Sequence, residues 1–177
     1  MKKPNDIASL FMPPASRGLA IMAVLTTLFM AGSVLLLKAA GDPIVVIVNN
    51  ENPIDNLSMS ELKKLFLSDR SRWDTGKAVA PVMLVGGAPE RTSFLKIVCG
   101  MDDADLKKYF LAAAFSGKTV TPPKEVGSAS TLKSFVAGSP GAIGFLKASD
   151  LPAGDSTVKA VKIEGAAPSD PGYKLKM

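Results

Sequence analysis

The chain of 177 residues contains no histidine. That absence removes Ser-His-Asp and Cys-His catalysis, histidine zinc sites and histidine acid/base chemistry together. Cysteine is nearly absent as well: Cys99 stands alone, so no intrachain disulfide exists. It falls on the apolar side of a predicted helix and reads as a small buried hydrophobe, which permits an oxidising compartment without indicating one. Tryptophan occurs once, as Trp73 between Arg72 and Asp74, and is expected to plug the edge of a core rather than to bind. An excess of basic charge is also missing from the body of the chain. The formal net charge is +5, but four of the 21 basic residues and one of the 16 acidic residues lie in the first 40 positions. The remaining 17 against 15 do not suggest a nucleic-acid partner.

Motifs with mechanistic content are incomplete. Ser-x-x-Lys recurs, as at Ser60–Lys63, Ser93–Lys96 and Ser130–Lys133, and the Ser-Asp-Asn and Lys-Thr-Gly partners of a serine acyl-transfer site are missing. The glycine pair Gly86-Gly87 is followed by Ala-Pro-Glu-Arg-Thr, not by the Gly-Lys-Ser/Thr of a nucleotide loop. Asp102, Asp103 and Asp105 lack the glycine and distal glutamate of a calcium loop. The chain reads as a non-enzyme, with no cofactor and no metal expected.

One long uncharged run is present, Leu19 to Leu37. At helical rise it spans about 28 Å, close to the hydrocarbon thickness of a bilayer. Lys2, Lys3 and Arg17 precede it and Lys38 follows, an asymmetry that places the N-terminus in the cytoplasm and the remainder outside. Two readings fit. An uncleaved anchor is favoured by the length of the run and of its leader; a secretory signal peptide would be cleaved at the small residues Ala39-Ala40-Gly41. The expected organisation is a cytoplasmic tail over 1–17, a membrane segment over 18–38, a folded domain over 42–164 and a loosely held tail over 165–177.

Within the folded part, Ile44–Val48 is β-branched throughout and predicts a buried strand. Asn49–Asn56 is polar and predicts a loop. Ser58-Met-Ser-Glu61 predicts a capping box, opening a short helix through Leu62, Leu65 and Phe66. After a polar loop around Trp73, Val82–Val85 predicts a second strand, Gly86-Gly87 a sharp turn, and Pro89 a helix start with Phe94, Ile97 and Val98 on one face. Asp102 predicts the cap of a further helix buried through Leu106, Tyr109, Phe110 and Ala113 and ended by Gly117. Thr119–Val126, with Pro122-Pro123, predicts a loop. Ser128 opens a helix with Leu132, Phe135 and Val136 inside, Gly138 and Pro140 stop it, and strands follow at Ala142–Leu146 and Thr157–Ile163. Alternating strands and helices predict an α/β sandwich with a sheet of about four to five strands.

The unit Pro81–Phe94 is the candidate site. It leaves free backbone N–H groups of a helix N-terminus at the end of a buried strand, beside Arg91, where an anion can be received. An ordinary strand-to-helix joint with a solvated Arg91 is the alternative.

Several stretches together resemble the phosphate-binding proteins of bacterial phosphate ABC transporters, in the type 2 periplasmic-binding-protein superfamily. Leu57-Ser-Met-Ser-Glu-Leu-Lys-Lys-Leu-Phe66 followed by Trp73-Asp-Thr-Gly76 is similar to that family's Leu-Ser/Thr…Ile-Phe…Trp-x-x-Gly segment. Ser139-Pro-Gly-Ala-Ile-Gly-Phe145 is similar to its Pro-Gly-Ala-Ile-Gly-Tyr segment. The resemblance implies a three-layer sandwich with a mixed sheet, corresponding to one lobe of a protein that has two. It also implies phosphate or a related oxyanion as ligand, held by Gly87, Arg91, Thr92 and Ser93, although Pro89 removes one N–H and Glu90 adds an opposing charge. Two functions follow: an anchored module in the periplasm that captures an oxyanion for uptake or sensing, or an anchored interaction scaffold that takes no small ligand. A transporter or envelope-protein partner and a homodimer are the expected associations.

Overall fold

The computed structural model describes residues 41–177 apart from Ala153. The predicted membrane segment and cytoplasmic tail lie outside the described residues. Among the described residues no helix is long and apolar enough to cross a membrane.

Strand β1 (Ile44–Asn49) is buried at all six positions, as its β-branched run requires. It lies inside a five-stranded sheet with β3 (Ala80–Leu84), β4 (Lys124–Val126), β5 (Ala142–Lys147) and β6 (Val158–Ala160), in the order β4-β3-β5-β1-β6. The sheet is mixed. β3 runs parallel to β4 and β5, whereas β1 is antiparallel to β5 and β6, with Val46 opposite Phe145. A small parallel pair, β2 (Asn56–Leu57) with β7 (Lys162–Ile163), lies apart from it.

The alternation of β1 divides the core. Ile44, Val46 and Val48 face one layer, where α1 (Met59–Phe66), α2 (Pro89–Phe94) and α3 (Asp103–Phe115) contribute Leu62, Leu65, Phe66, Phe94, Leu106 and Phe110. Val45 and Ile47 face the other layer, built on α4 (Ala129–Ala137) through Leu132 and Val136. Helices cover both faces, so the domain is a three-layer α/β sandwich. Phe66, Phe94 and Phe145 meet in the larger layer, Phe94 stacked on Phe145 with ring centroids 3.8 Å apart. Phe145 is the last residue of the Pro-Gly-Ala-Ile-Gly-Phe motif. Gly144 within that motif has no room for a side chain: a Cβ there would lie 2.7 Å from Leu132 Cδ2 and 2.9 Å from Val82 Cγ1. The motif is thus a place where α4 packs tightly on the sheet.

Helix starts follow the expected chemistry. Ser58 and Glu61 close both halves of the capping box on α1, Asp102 caps α3 by accepting from Asp105 N–H, and Ser128 caps α4 by accepting from Thr131 N–H. Trp73 is buried and donates from Nε1 to the Gly141 carbonyl at 2.9 Å, which fastens the polar loop to the motif.

Four expectations are corrected. Asn49 is not a loop residue but the buried end of β1, where Nδ2 donates to the last carbonyls of α4, Val136 at 3.0 Å and Ala137 at 2.7 Å. The stretch after Pro123 is not all loop: Lys124–Val126 forms an edge strand, too short and too charged to carry a strand pattern. Ile97 is 37% exposed because the helix after Phe94 widens into a π-helical turn over Leu95–Cys99, which turns Leu95, Val98 and Cys99 inward instead. Residues 165–177 are not a loose tail. Tyr173 and Leu175 are buried, Tyr173 Oη donates to the Ile44 carbonyl at 2.8 Å, and Ile44 N–H donates to the Leu175 carbonyl at 2.8 Å. The end of the chain therefore clasps the start of β1.

Candidate functional site

Val82–Leu84 enters the site as buried sheet, and the chain turns at its carboxyl end through Val85, Gly86 and Gly87. Gly87 has φ 93°, a region that side-chain-bearing residues rarely adopt, and it aims the chain into α2. α2 begins at Pro89 behind Ala88, which offers no side-chain cap. It has only six residues before the π-helical turn, which limits the dipole at its start.

Arg91 does not point to solvent. Only 1% of it is exposed. Nε donates to Asp103 Oδ1 at 2.6 Å, Nη1 donates to the Leu84 carbonyl at 2.6 Å, and Nη1 also forms an ion pair with Glu125 Oε1 at 2.8 Å. One guanidinium thereby joins the end of β3, the first residue of α3 and the middle of β4. The planar fork of donors suits this work, which a lysine ammonium on a single stem would not reproduce. Two carboxylates around one guanidinium leave the cluster formally negative, and its field opposes an incoming anion.

The other sequence-predicted residues are placed as follows. Thr92 is exposed, and its Oγ1 donates back to the Ala88 carbonyl at 3.3 Å. Ser93 is half-buried on the same helix, and Gly87 is exposed on the turn. Gly87, Thr92 and Ser93 thus share the turn and helix start, while Arg91 turns away beneath them toward α3 and β4. Glu90 is buried and faces Lys147, whose Nζ lies 3.7 Å from its Oε2. That separation is a charge contact without a hydrogen bond, and Glu90 Oε2 has no hydrogen-bond partner.

A groove opens on the far side of Arg91. It has a volume of about 340 Å³, with Met83, Leu106 and Phe110 among its apolar lining, Pro122 and Pro123 on one wall, and Arg91, Lys107 and Glu125 among its charged residues. Along the α3 wall, Leu111 is 60% exposed and Phe115 is 84% exposed. The sequence did carry a signal for these two: Leu111 and Phe115 are apolar, four apart, and out of phase with the buried face Leu106, Phe110 and Ala113. No sequence signal pointed to Asp103 and Glu125 as partners of Arg91, because one stood in the first turn of a helix and the other in a presumed loop.

No protein-family profile matches the chain. Solved structures do. A phosphate ABC transporter substrate-binding protein with bound phosphate from Clostridium perfringens is 23% identical, with a TM-score of 0.59 over 73% of this chain and 48% of that one. An ABC-type phosphate transport receptor from Vibrio cholerae is also 23% identical, with a TM-score of 0.59 over 73% of this chain and 49% of that one. The PstS protein from Borrelia burgdorferi is 12% identical, with a TM-score of 0.61 over 77% and 55%. This chain spans about half the length of the structures it matches. Its fold is that of a single lobe resembling phosphate ABC transporter substrate-binding proteins.

Proposed function

We propose that the chain is an extracytoplasmic docking module with a phosphate-binding-protein-like lobe, held at the membrane by Leu19–Leu37, and that it works through protein contact rather than by capturing phosphate. The observation that carries this reading is the state of Arg91. It is buried, and its Nε and Nη1 are committed to Asp103, Glu125 and the Leu84 carbonyl. Drawing it onto a phosphate would leave two carboxylates without their cation, and truncating one partner of a buried pair costs on the order of 3–5 kcal/mol. The exposed Leu111 and Phe115 beside an apolar groove supply a surface of the kind that meets other proteins.

The second reading is oxyanion capture at Gly87, Thr92 and Ser93, for uptake or sensing with a transporter partner. It is favoured by the fold likeness to a structure that holds phosphate. A thermal-shift series with phosphate separates the two. The docking reading predicts no rise in melting temperature at millimolar phosphate beyond the rise given by an equal ionic strength of chloride. A saturable, phosphate-specific rise favours capture. The anchor is tested by carbonate washing of membranes: retention of the full chain supports it, and a shortened soluble chain beginning near Asp42 supports a cleaved signal instead.

A further inference from the structure

The groove beside α3 and the ridge next to it form a matched set on one surface. The ridge is Leu111, which also lines the groove, and Phe115, one helical turn further on and almost wholly in solvent. The groove takes in Met83, Leu106, Phe110, Ala114 and Pro123 among its apolar lining. Its 340 Å³ suffices for an aromatic side chain, and shallow apolar clefts of this size are where such anchors seat. A patch that carries both the projecting aromatic and the apolar recess is self-complementary, the requirement of a two-fold interface.

The charges around the groove agree. Lys107 lies on the α3 side and Glu125 on the β4 side, both exposed. A uniformly acidic or basic partner would be attracted by one and repelled by the other. A two-fold copy instead brings Lys107 of each chain toward Glu125 of its mate. The neighbouring edge of β4 is a poor alternative for strand pairing, since it has three residues and follows Pro122-Pro123.

We infer that a second copy of this chain docks here, Phe115 of each protomer entering the groove between α3 and the Pro122-Pro123 wall of the other. The inference deepens the docking reading and rests on it. Phe115 and Leu111 are the anchors, and Lys107 with Glu125 sets the register. Because Phe115 and Leu111 are exposed in the single chain, charged substitutions there remove the anchor without opening the core.

The test is the mass of the full chain in detergent, measured by light scattering across a dilution series, for wild type, Phe115→Asp and Leu111→Asp. Wild type is expected at twice the chain mass, falling to the monomer on dilution. Each variant should weaken the association by about thirtyfold or more, the loss of one interface anchor, with an unchanged circular-dichroism spectrum. A Phe115→Ser variant should weaken it too, which separates lost packing from added charge. A wild type that is monomeric throughout overturns the inference. So does a dimer that neither Asp variant weakens, since its interface then lies elsewhere. A monomeric wild type that also shows no phosphate-specific stabilisation leaves the docking reading standing with a different protein as partner, whereas phosphate-specific stabilisation overturns that reading itself.

Discussion

Arg91 Nε donates to Asp103 Oδ1 at 2.6 Å, across a joint between the second and third helices that the sequence places twelve residues apart. The same guanidinium reaches Glu125 and the Leu84 carbonyl, so its primary contribution is to hold three elements in register. Arg91→Met should lower stability by about 3 kcal/mol, at the lower end for a broken buried pair because Asp103 and Glu125 both retain solvent contact. Arg91→Lys should recover only part of this, since an ammonium cannot reach three acceptors in one plane. Urea denaturation of the three proteins measures it. Equal stability of wild type and Arg91→Met would mean that the cluster is a surface feature only.

Gly144 predicts a packing effect. Gly144→Ala places a methyl group 2.7 Å from Leu132 Cδ2 and 2.9 Å from Val82 Cγ1, and overpacking of this kind costs about 1–3 kcal/mol. Leu132→Ala is destabilising alone but should relieve part of the strain in the double variant. A double-mutant cycle measures the coupling, and strict additivity would show that the crowding is relaxed elsewhere.

Much of the fold was legible because it is written in local chemistry. The β-branched run of β1, the capping box at Ser58, the caps at Asp102 and Ser128, and the Pro-Gly-Ala-Ile-Gly-Phe segment each specify their own conformation. What failed to show depends on distant partners. The burial of Asn49 follows from carbonyls at Val136 and Ala137, 87 and 88 residues away. The order of the last residues follows from Ile44, 129 residues before Tyr173. The candidate site divides in the same way. Its strand, glycine turn and helix start were readable, whereas the partners of Arg91 lie on elements that only the tertiary fold brings near.

Ser58 offers a local test. Its Oγ accepts from Glu61 N–H at 3.2 Å while Glu61 Oε2 accepts from Ser58 N–H at 2.9 Å. Ser58→Ala should cost about 1 kcal/mol, and Ser58→Asp should restore most of it. Thermal melts of the pair report this; a neutral Ser58→Ala would mean that Glu164, which accepts from Met59 N–H at 2.8 Å, caps the helix alone.

Stability should fall on the alkaline side for a stated reason. Burial raises the Tyr173 phenol from 10.0 to about 12 and the Cys99 thiol from 9.0 to about 11. Both groups are neutral in the folded protein and ionise more readily in the unfolded chain. Their contribution is therefore complete below the unfolded values and is lost as pH rises through roughly 9 to 12. Tyr173→Phe should flatten the part of this slope above pH 10, while costing about 1 kcal/mol at neutral pH from the lost bond to Ile44. Urea midpoints between pH 8 and 11.5 test it, and identical slopes for the two proteins would rule Tyr173 out as the source.

Titration calorimetry of phosphate into the wild-type chain and into Asp103→Asn tests most directly whether Arg91 is a strut or a ligand donor. The account predicts no saturable heat with wild type. It predicts at most a weak signal with Asp103→Asn, where Arg91 Nε loses its charged partner and the local charge becomes less negative. Saturable heat with wild type that disappears in Thr92→Ala or Ser93→Ala would contradict the account and establish oxyanion capture at the helix start.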